Sequence, residues 1–299
     1  MILRDKCIDY MENISKTRTE AANQKKDRGL RWLKIGVLLF LCISWIWSWI
    51  PATERITLPM EGVGPEPVSI ALVTDLHSCY YGKNQMWLVR RVEKENPDLV
   101  ILAGDIFDNR LKDKNAQILL QRLTEKYPCF YVTGNHEYWS GRAPEMKQWT
   151  KDAGAFVLDG DCSSLKVGDT VLDICGVDDP DEMSMDAWRG QIDSAFAKTN
   201  PDHIRILVSH RPERVNIYEQ YDFDLILTGH AHGGQLRIPF VNKGLFAPDQ
   251  GLFANYVNGI YELSNGSLME VSRGLARETT PLPRFFNRPE LVVIQLQAK

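Results

Sequence analysis

Short apolar runs recur along the chain from residue 70 onward, with segments of helical periodicity between several of them. Continuous apolar runs of four or five residues are typical of strands buried on both faces of a parallel sheet. Five such runs lie at 70–74, 99–103, 130–133, 204–208 and 225–228. Apolar residues at helical spacing predict helices over 84–96, 115–126 and 186–197. Strands that alternate with helices predict an α/β domain with parallel strands.

A block of shorter runs after residue 154 changes the pattern. Runs at 155–158, 164–167 and 171–176, with Gly168-Asp169 as a hairpin turn, predict a second sheet of a sandwich. Further strand-like runs follow at 236–238, 259–263, 267–271 and 291–296. The expected architecture is therefore a sandwich of two sheets with helices packed on a sheet.

The first 67 residues are organised differently. Residues 1–34 are polar and basic, 35–50 carry no charge, and 51–67 hold the prolines and glycines typical of a linker. The uncharged stretch, extended by Trp32 and Lys34, approaches the ~20 residues that span a bilayer. We predict one transmembrane anchor at 35–50 and a large domain at 68–299. A cleaved signal peptide stays open as an alternative, although no A-x-A site follows. A buried core helix is disfavoured because the run is apolar on all sides.

The distribution of charge predicts the orientation of this anchor. Residues 1–34 hold nine Lys/Arg and five Asp/Glu, or +4, so the remaining residues must carry −8 to give the net −4 of the chain. Basic residues before a span keep the N-terminus in the cytoplasm, which predicts a single-pass cell-membrane protein with its large domain outside. An acidic domain offers no evident nucleic-acid-binding surface. Whether the domain cysteines pair stays open; they are Cys79, Cys129, Cys162 and Cys175.

Each of the five buried runs ends in residues able to bind a metal ion. His230 and His232 follow the run at 225–228, and alternate residues of extended backbone point to the same side. Taken alone, a His-x-His pair is as well explained by solvated loop histidines. The other runs end in the same kind of residue: Asp75, His77, Asp105, Asp108, Asn135, His136 and His210. Because ligands bind at the carboxyl ends of strands in open α/β sheets, these side chains are expected to meet.

In order along the chain stand D-x-H, G-D-x-x-D, G-N-H-E, a lone H and G-H-x-H-G-G-Q, followed by R-P-E at 288–290. With these blocks the chain resembles the calcineurin-like metallophosphoesterases, most closely their bacterial, often membrane-attached branch. The resemblance covers residue 68 to the C-terminus. It implies a four-layer αββα sandwich of two mixed sheets. It also implies hydrolysis of a phosphomonoester, phosphodiester or pyrophosphate bond by a metal-bridging hydroxide. The alternative is a catalytically inactive scaffold that keeps the fold for binding.

The resemblance also implies the roles of the metal ligands. Asp105 would bridge two divalent ions about 3.5–4 Å apart. Asp75, His77 and His232 would bind one ion, and Asn135, His210 and His230 the other. Carboxylate, amide and imidazole ligands suit Mn, Fe or Zn, and the lack of thiolates disfavours a structural zinc site.

Two further residues are predicted to act in catalysis. His136 would face the leaving group, and Asp108 would orient its ring by a hydrogen bond. The alternative for Asp108 is a helix N-cap. Glu137 is expected to be structural.

The place of a phosphate-clamping arginine in protein phosphatases is Asn109 here, which disfavours a phosphoprotein substrate. Arg211 is a candidate phosphate contact instead, and a solvated arginine is its alternative.

Two apolar stretches, at 240–256 and 281–286, remain unexplained by the site. Ordinary packing is one interpretation. A membrane-facing groove for a lipid-linked phosphate substrate is the other.

Overall fold

The computed structural model of the protein describes residues 2–237, 244–277 and 284–299. Its helices are α1 (Ile2–Trp47), α2 (Met86–Glu95), α3 (Lys114–Thr124), α4 (Asn135–Trp139), α5 (Ala143–Asp152), α6 (Met185–Phe196) and α7 (Val215–Tyr218). Its strands before residue 180 are β1 (Ala52–Met60), β2 (Val68–Val73), β3 (Leu99–Ala103), β4 (Cys129–Val132), β5 (Phe156–Val157), β6 (Asp161–Val167) and β7 (Thr170–Gly176). The later strands are β8 (Ile204–Val208), β9 (Leu225–Thr228), β10 (Phe246–Ala247), β11 (Gly251–Leu252), β12 (Gly259–Glu262), β13 (Leu268–Val271) and β14 (Glu290–Ala298).

The chain divides into two compact units, Met1–Ile46 and Trp47–Lys299. The first belongs to α1, and the helical stretch Ser15–Trp47 is long and apolar enough to cross a membrane. The helix continues without a break through the boundary predicted at residue 34, and it ends at Trp47, before Pro51.

Two six-stranded mixed sheets form the second unit. The first has the order β1-β14-β2-β3-β4-β5, and the second has the order β12-β13-β9-β8-β7-β6. In the first sheet β14 runs antiparallel to β2, while β2, β3, β4 and β5 are parallel. In the second, β13, β9, β8 and β7 are parallel, with β12 and β6 antiparallel at the edges. The two mixed sheets confirm the predicted fold class.

Alternate residues of each strand pack on opposite sides of their sheet. Ile101 of β3 and Ile206 of β8 share the apolar cluster between the two sheets. Leu102 packs with helices α2, α3 and α5 on the outer side of the first sheet. Leu207 packs with α6 and α7 on the outer side of the second sheet, against Trp188. The layers are therefore helix, sheet, sheet and helix.

The segment 51–67 is not a free linker, and the prediction for it is wrong over β1. This strand pairs in parallel with β14 along its whole length, from Ala52 opposite Glu290 to Met60 opposite Ala298. Leu58 and Met60 point into the core between the sheets. The strand was hard to recognise because an edge strand keeps polar residues on its open face and tolerates a proline such as Pro59.

Two other predicted strands differ from the structure. β5 pairs with β4 and so extends the first sheet, whereas the sequence predicts the run at 155–158 in the second. The run at 236–238 forms only isolated bridges at Leu236 and Arg237, and Ile238 lies outside the described residues. The parts of the apolar stretches at 240–243 and 281–283 also lie outside the described residues.

The question of cysteine pairing is answered by a disulfide between Cys162 and Cys175. The two cysteines face each other on the antiparallel strands β6 and β7. Cys79 and Cys129 are buried thiols outside this disulfide. An exported domain is compatible with such a bond, because disulfides persist in oxidising compartments.

Candidate metal centre

The ends of five strands, three from the first sheet and two from the second, bring the predicted ligands to one place. All of them are buried. Five of these residues have left-handed backbone, with φ between 47° and 64°: Asp75, His77, Asp105, His230 and His232. Such conformations are costly for residues other than glycine and cluster at functional sites. After β2, β3 and β9 the extended backbone therefore ends abruptly in left-handed residues.

Two glycines allow these loops to approach each other. A Cβ atom on Gly104, at φ +84°, would lie 2.5 Å from Nδ1 of His210. A Cβ atom on Gly229 would lie 2.1 Å from the hydroxyl oxygen of Thr74. Side chains at these positions would push the ligand loops apart.

Six of the seven predicted ligands form two groups of three. Asp75, His77 and His232 offer ligand atoms within 4.8 Å of one another, and so do Asp105, His210 and His230. Oδ2 of Asp105 links the groups, since it lies 3.5 Å from Nε2 of His77 and 3.2 Å from Nε2 of His210. This is the place that a bridging carboxylate requires.

The hydrogen bonding of these side chains tests whether a metal ion fits the donor set. Within the described residues, Nε2 of His77, Oδ2 of Asp105 and Oδ1 of Asn135 are buried without a hydrogen-bond partner. Buried polar atoms are normally paired, so these three unpaired atoms, two of which lie 3.5 Å apart, fit a bound cation. Two carboxylates, four imidazoles and an amide suit Mn, Fe or Zn.

Hydrogen bonds behind the imidazoles orient them for this task. Nδ1 of His210 donates to the carbonyl of Ala103 at 2.8 Å, and Nδ1 of His77 donates to Oδ1 of Asp108 at 3.1 Å. Both rings therefore point Nε2 at the centre. His230 differs, because its Nδ1 lies 3.3 Å from Nε2 of His210 while its own Nε2 contacts Asp249 at 2.8 Å.

The electrostatics favour a cation as well. Burial works to raise the pKa of Asp105, but His210 and His77 outweigh it and hold that pKa well below its usual range. Burial works to lower the pKa of His210, but Asp105 outweighs it and raises the pKa to about 10. Burial lowers the pKa of His230 to about 4 and that of His232 well below its usual value. These two neutral imidazoles are in the form that binds metals.

His136 lies at the rim of the centre, next to Asn135. Its Nδ1 is 3.0 Å from Oδ1 of Asp108 and 3.0 Å from Oδ1 of Asn109. The side chain is 16% exposed, whereas that of His77 is 1% exposed. His136 is thus the histidine of the group best placed to meet a molecule arriving from solvent.

Asp108 supports two histidines at once. Its Oδ1 accepts from both His77 and His136. Its Oδ2 accepts the backbone N–H groups of Arg110 and Leu111 at 2.8 and 2.7 Å. The turn at 109–111 is therefore closed by the second oxygen, while helix α3 begins later and has Asp113 at its N-cap position. The alternative of a helix N-cap at Asp108 therefore does not hold, and the contact of Asp108 with His77 was not predicted.

Glu137 holds the loop that carries the bridging residue. Its buried carboxylate accepts the backbone N–H groups of Gly134, Asp105, Ile106 and Phe107 at 2.8 to 3.0 Å. Burial raises the pKa of Glu137 to about 8. Because the carboxylate of Glu137 binds backbone N–H groups, it stabilises the loop, which is a structural role.

Arg211 is neither solvated nor open to a phosphate. It is 1% exposed, and its guanidinium binds Asp179 through Nε at 2.6 Å and through Nη2 at 2.8 Å. Nη2 also donates to Asp181 at 2.7 Å, and Nη1 to Asp249. These carboxylates occupy N–H donors on each nitrogen of the Arg211 guanidinium. Arg211 therefore holds Asp249 beside His230.

Sequence reasoning missed two residues beside the centre. Asp249 lies in an irregular segment between β10 and β11, and no motif marks it. Arg284 is buried with Nη2 3.3 Å from Nδ1 of His232, and its Nε and Nη1 have no partner among the described residues. Both contacts depend on tertiary structure alone.

Comparisons with known proteins bear on the family of this chain. The sequence profile of the family described as "Calcineurin-like phosphoesterase" matches residues 68–234. An uncharacterised metallophosphoesterase of Campylobacter jejuni is 31% identical over 78% of this chain and 60% of its own length. One from Aquifex aeolicus is 31% identical over 82% of this chain and 92% of its own.

More distant similarities are also present. A "Transmembrane protein with metallophosphoesterase domain" of Bos taurus is 26% identical over 83% of this chain and 57% of its own length. The structure of TT1561 from Thermus thermophilus has 12% identity and a TM-score of 0.49, covering 70% of this chain and 91% of that one. The family profile covers more than half of the chain, and two relatives reach 31% identity. The chain therefore belongs to the calcineurin-like phosphoesterase family.

Proposed function

We propose that the protein is a membrane-anchored hydrolase that cleaves a phosphomonoester, phosphodiester or pyrophosphate bond with two divalent cations. One observation carries the proposal. The unpartnered Oδ2 of Asp105 lies between Nε2 of His77 and Nε2 of His210, which belong to different ligand groups.

The residues would divide the work as follows. Asp75, His77 and His232 would hold one cation, Asn135, His210 and His230 the other, and Asp105 both. When bound, the cations would supply Lewis acidity towards the phosphoryl oxygens and an activated water. The buried carboxylates and oriented imidazoles fix this arrangement before substrate arrives, so little reorganisation is needed during the reaction.

His136 would assist the departure of the leaving group. Asp108 and Asn109 hold its Nδ1, which leaves Nε2 as the atom that gives a proton to the leaving-group oxygen as the P–O bond breaks. Asp108 acts through His136 in this step and is a positioning residue. Arg211 lies too deep in its carboxylate cluster to be proposed as a substrate contact.

An amphiphilic, lipid-linked substrate is favoured by the hairpin of β10 and β11. Its outer side chains Phe246, Leu252 and Phe253 are 42%, 68% and 64% exposed. The same hairpin carries Asp249, which contacts His230 of the centre. An apolar surface beside the ligands could accept acyl or prenyl chains while the phosphate reaches the cations.

A chromogenic assay tests the proposed hydrolysis. The purified full chain, stripped of metal with chelator, is expected to hydrolyse bis-p-nitrophenyl phosphate or p-nitrophenyl phosphate only after addition of Mn, Fe or Zn. Comparison of the two substrates then gives the preference for diester or monoester. Binding of two metal equivalents without turnover on a broad phosphoester panel would favour the scaffold alternative.

The proposed location outside the cytoplasm needs its own test. It is supported by the basic residues that precede the candidate span, Lys25 to Lys34. Protease added to intact spheroplasts is expected to digest the catalytic unit. Protection until lysis would place that unit in the cytoplasm.

A further inference from the structure

The outer face of helix α2 combines an exposed aromatic ring with basic residues. Trp87, Arg90 and Lys94 are exposed at helical spacing, while Leu88 and Val92 on the other side of α2 are buried in the core. Arg91 lies between them and is half-buried. Together with Arg55 on β1 they line an open pocket of about 410 Å³, whose other lining residues are Thr53 and Glu95.

The charge of this face is opposite to that of the unit around it. Four cations, Arg55, Arg90, Arg91 and Lys94, line the pocket with one acid, Glu95. Glu95 is paired with Arg55 at 2.6 Å. Residues 35–299 carry a net charge of −8, which follows from +4 in residues 1–34 and −4 in the whole chain. A basic patch on an acidic unit indicates an anionic partner.

Further aromatic side chains connect this patch to the segment that follows the candidate span. The guanidinium of Arg277 lies 5.2 Å from the ring of Trp49, and it donates to the carbonyl of Tyr80. The Tyr80 and Trp87 rings are 6.4 Å apart. Trp49, Tyr80 and Trp87 are 38%, 49% and 61% exposed. We call these three aromatic residues, with Arg90 and Lys94, the aromatic-basic face.

The chain keeps this face close to the end of the candidate span. The span ends at Trp47, and Nη1 of Arg91 donates to the hydroxyl of Thr53 at 3.0 Å, only six residues later. Six residues reach at most ~20–22 Å when fully extended. The bilayer potential acts over a Debye length of about 8–10 Å beyond the polar headgroup layer. A patch tethered so closely to a span can therefore reach this range.

We propose that the aromatic-basic face rests on the headgroups of anionic phospholipids. Tryptophan and tyrosine rings settle at the boundary between headgroups and hydrocarbon. Lysine and arginine residues near an anionic leaflet are attracted to it. The continuity of the face with the segment at residues 47–53 favours lipid as its occupant over an acidic soluble protein.

The contact would also bring the metal centre to the bilayer. Tyr80 follows the ligand His77 by three residues, and the loop between them is buried up to Cys79. Headgroup contact at Tyr80 therefore fixes the height of the metal centre above the bilayer. This inference rests on the proposed membrane anchor and not on the proposed hydrolysis.

Hydroxyl-radical footprinting of the full chain in nanodiscs tests the proposal. One set of discs contains phosphatidylcholine alone and the other adds phosphatidylglycerol. Oxidation of Trp87 is expected to slow severalfold in the anionic discs. The control is Phe156, which is 51% exposed on β5, at the opposite edge of the first sheet from β1. Its oxidation rate is expected to be the same in both discs.

A charge-reversal variant tests whether protection of Trp87 depends on lipid charge or only on closeness to the bilayer. The double variant Arg90→Glu, Lys94→Glu is expected to restore Trp87 oxidation in the anionic discs. Each cation removed should shift the equilibrium between bound and unbound face roughly fivefold towards the unbound state. The proposal is overturned if Trp87 is oxidised at the same rate in both kinds of disc and in the variant. It is also overturned if an added soluble protein protects Trp87 in the absence of lipid. Failure of the full chain to insert into discs would overturn the anchor and this inference together. Loss of hydrolysis alone would leave both standing.

Discussion

Replacement of Asp108 by asparagine tests whether one carboxylate supports both metal binding and proton transfer. Oδ1 of Asp108 accepts from His77 at 3.1 Å and from His136 at 3.0 Å. His77 is a predicted ligand, and His136 is the proposed acid. The two effects should therefore appear in different measurements: metal affinity for the first, and turnover with saturating metal for the second.

The size of each effect follows from the hydrogen bonds. Bonds to a charged acceptor contribute about 1.5–3 kcal/mol, and those to a neutral acceptor about 0.5–1.5 kcal/mol. Loss of the charge therefore costs about 1–1.5 kcal/mol for each histidine, or roughly tenfold. Asparagine also has a single oxygen, whereas Asp108 uses one oxygen for the histidines and the other for Arg110 and Leu111. We expect metal affinity to fall about 10- to 100-fold, the usual effect of removing a partner behind a ligand.

The assay combines metal titration with turnover in a double-mutant cycle. Metal affinity is measured for the parent, Asp108→Asn, His136→Ala and the double variant. In the His136→Ala background, Asp108→Asn should still weaken metal binding, because the bond to His77 remains to be lost. Unchanged metal affinity there would show that Asp108 acts through His136 alone and would refute the shared role.

A matched control is a second buried aspartate whose histidine partner is not a predicted metal ligand. Oδ1 of Asp173 lies 3.0 Å from Nδ1 of His203, and its Oδ2 accepts the N–H of Asn200 at 2.7 Å. Asp173→Asn is expected to lower thermal stability without changing metal affinity. A similar loss of metal in both variants would point to general destabilisation.

Three other outcomes are expected. Asp105→Asn should abolish turnover and release at least one metal ion, and two full metal equivalents by elemental analysis would remove Asp105 from the bridging role. His136→Ala should keep its metals while hydrolysis slows by roughly 10²–10⁴-fold; a parallel loss of metal would make it a ligand. Burial raises the pKa of Glu270 well above its usual value, so the folded state loses stability as pH rises above about 4.3, the pKa of an unfolded glutamate. Glu270→Gln should therefore raise the melting temperature at pH 8, by about 2–4 °C for each kcal/mol recovered, with a smaller gain at pH 5; an equal gain at both pH values would contradict the assignment.

The meeting of the predicted ligands at one place was predictable from the sequence, because buried strands and polar residues are adjacent in it. Strand β3 consists of five buried apolar residues, and Gly104 and Asp105 follow it directly. A continuous apolar run is the clearest signal of a central strand, so the position of the next polar residue follows with it. The same reasoning applies to His210 after β8.

The contacts around those ligands were not predictable in the same way. Asp249 reaches His230 from a short hairpin nineteen residues later, and nothing local marks a carboxylate there as a partner. The double contact of Asp108 depends on two loops that meet only in the folded chain. Edge elements such as β1 were also missed, since half of their residues face solvent and weaken the apolar pattern.

The pairing of β1 with β14 determines where the protein can be cut. β1 covers all nine residues of the C-terminal strand, and five consecutive residues of β14, from Glu290 to Ile294, are buried. A fragment that begins at Val68, after the supposed linker, would expose this strand as a long apolar edge. Unpaired edges of that kind recruit strands from other molecules. Versions of this unit without α1 should therefore start before Ala52, and any protease that separates the unit intact from the candidate span must cleave ahead of the same residue.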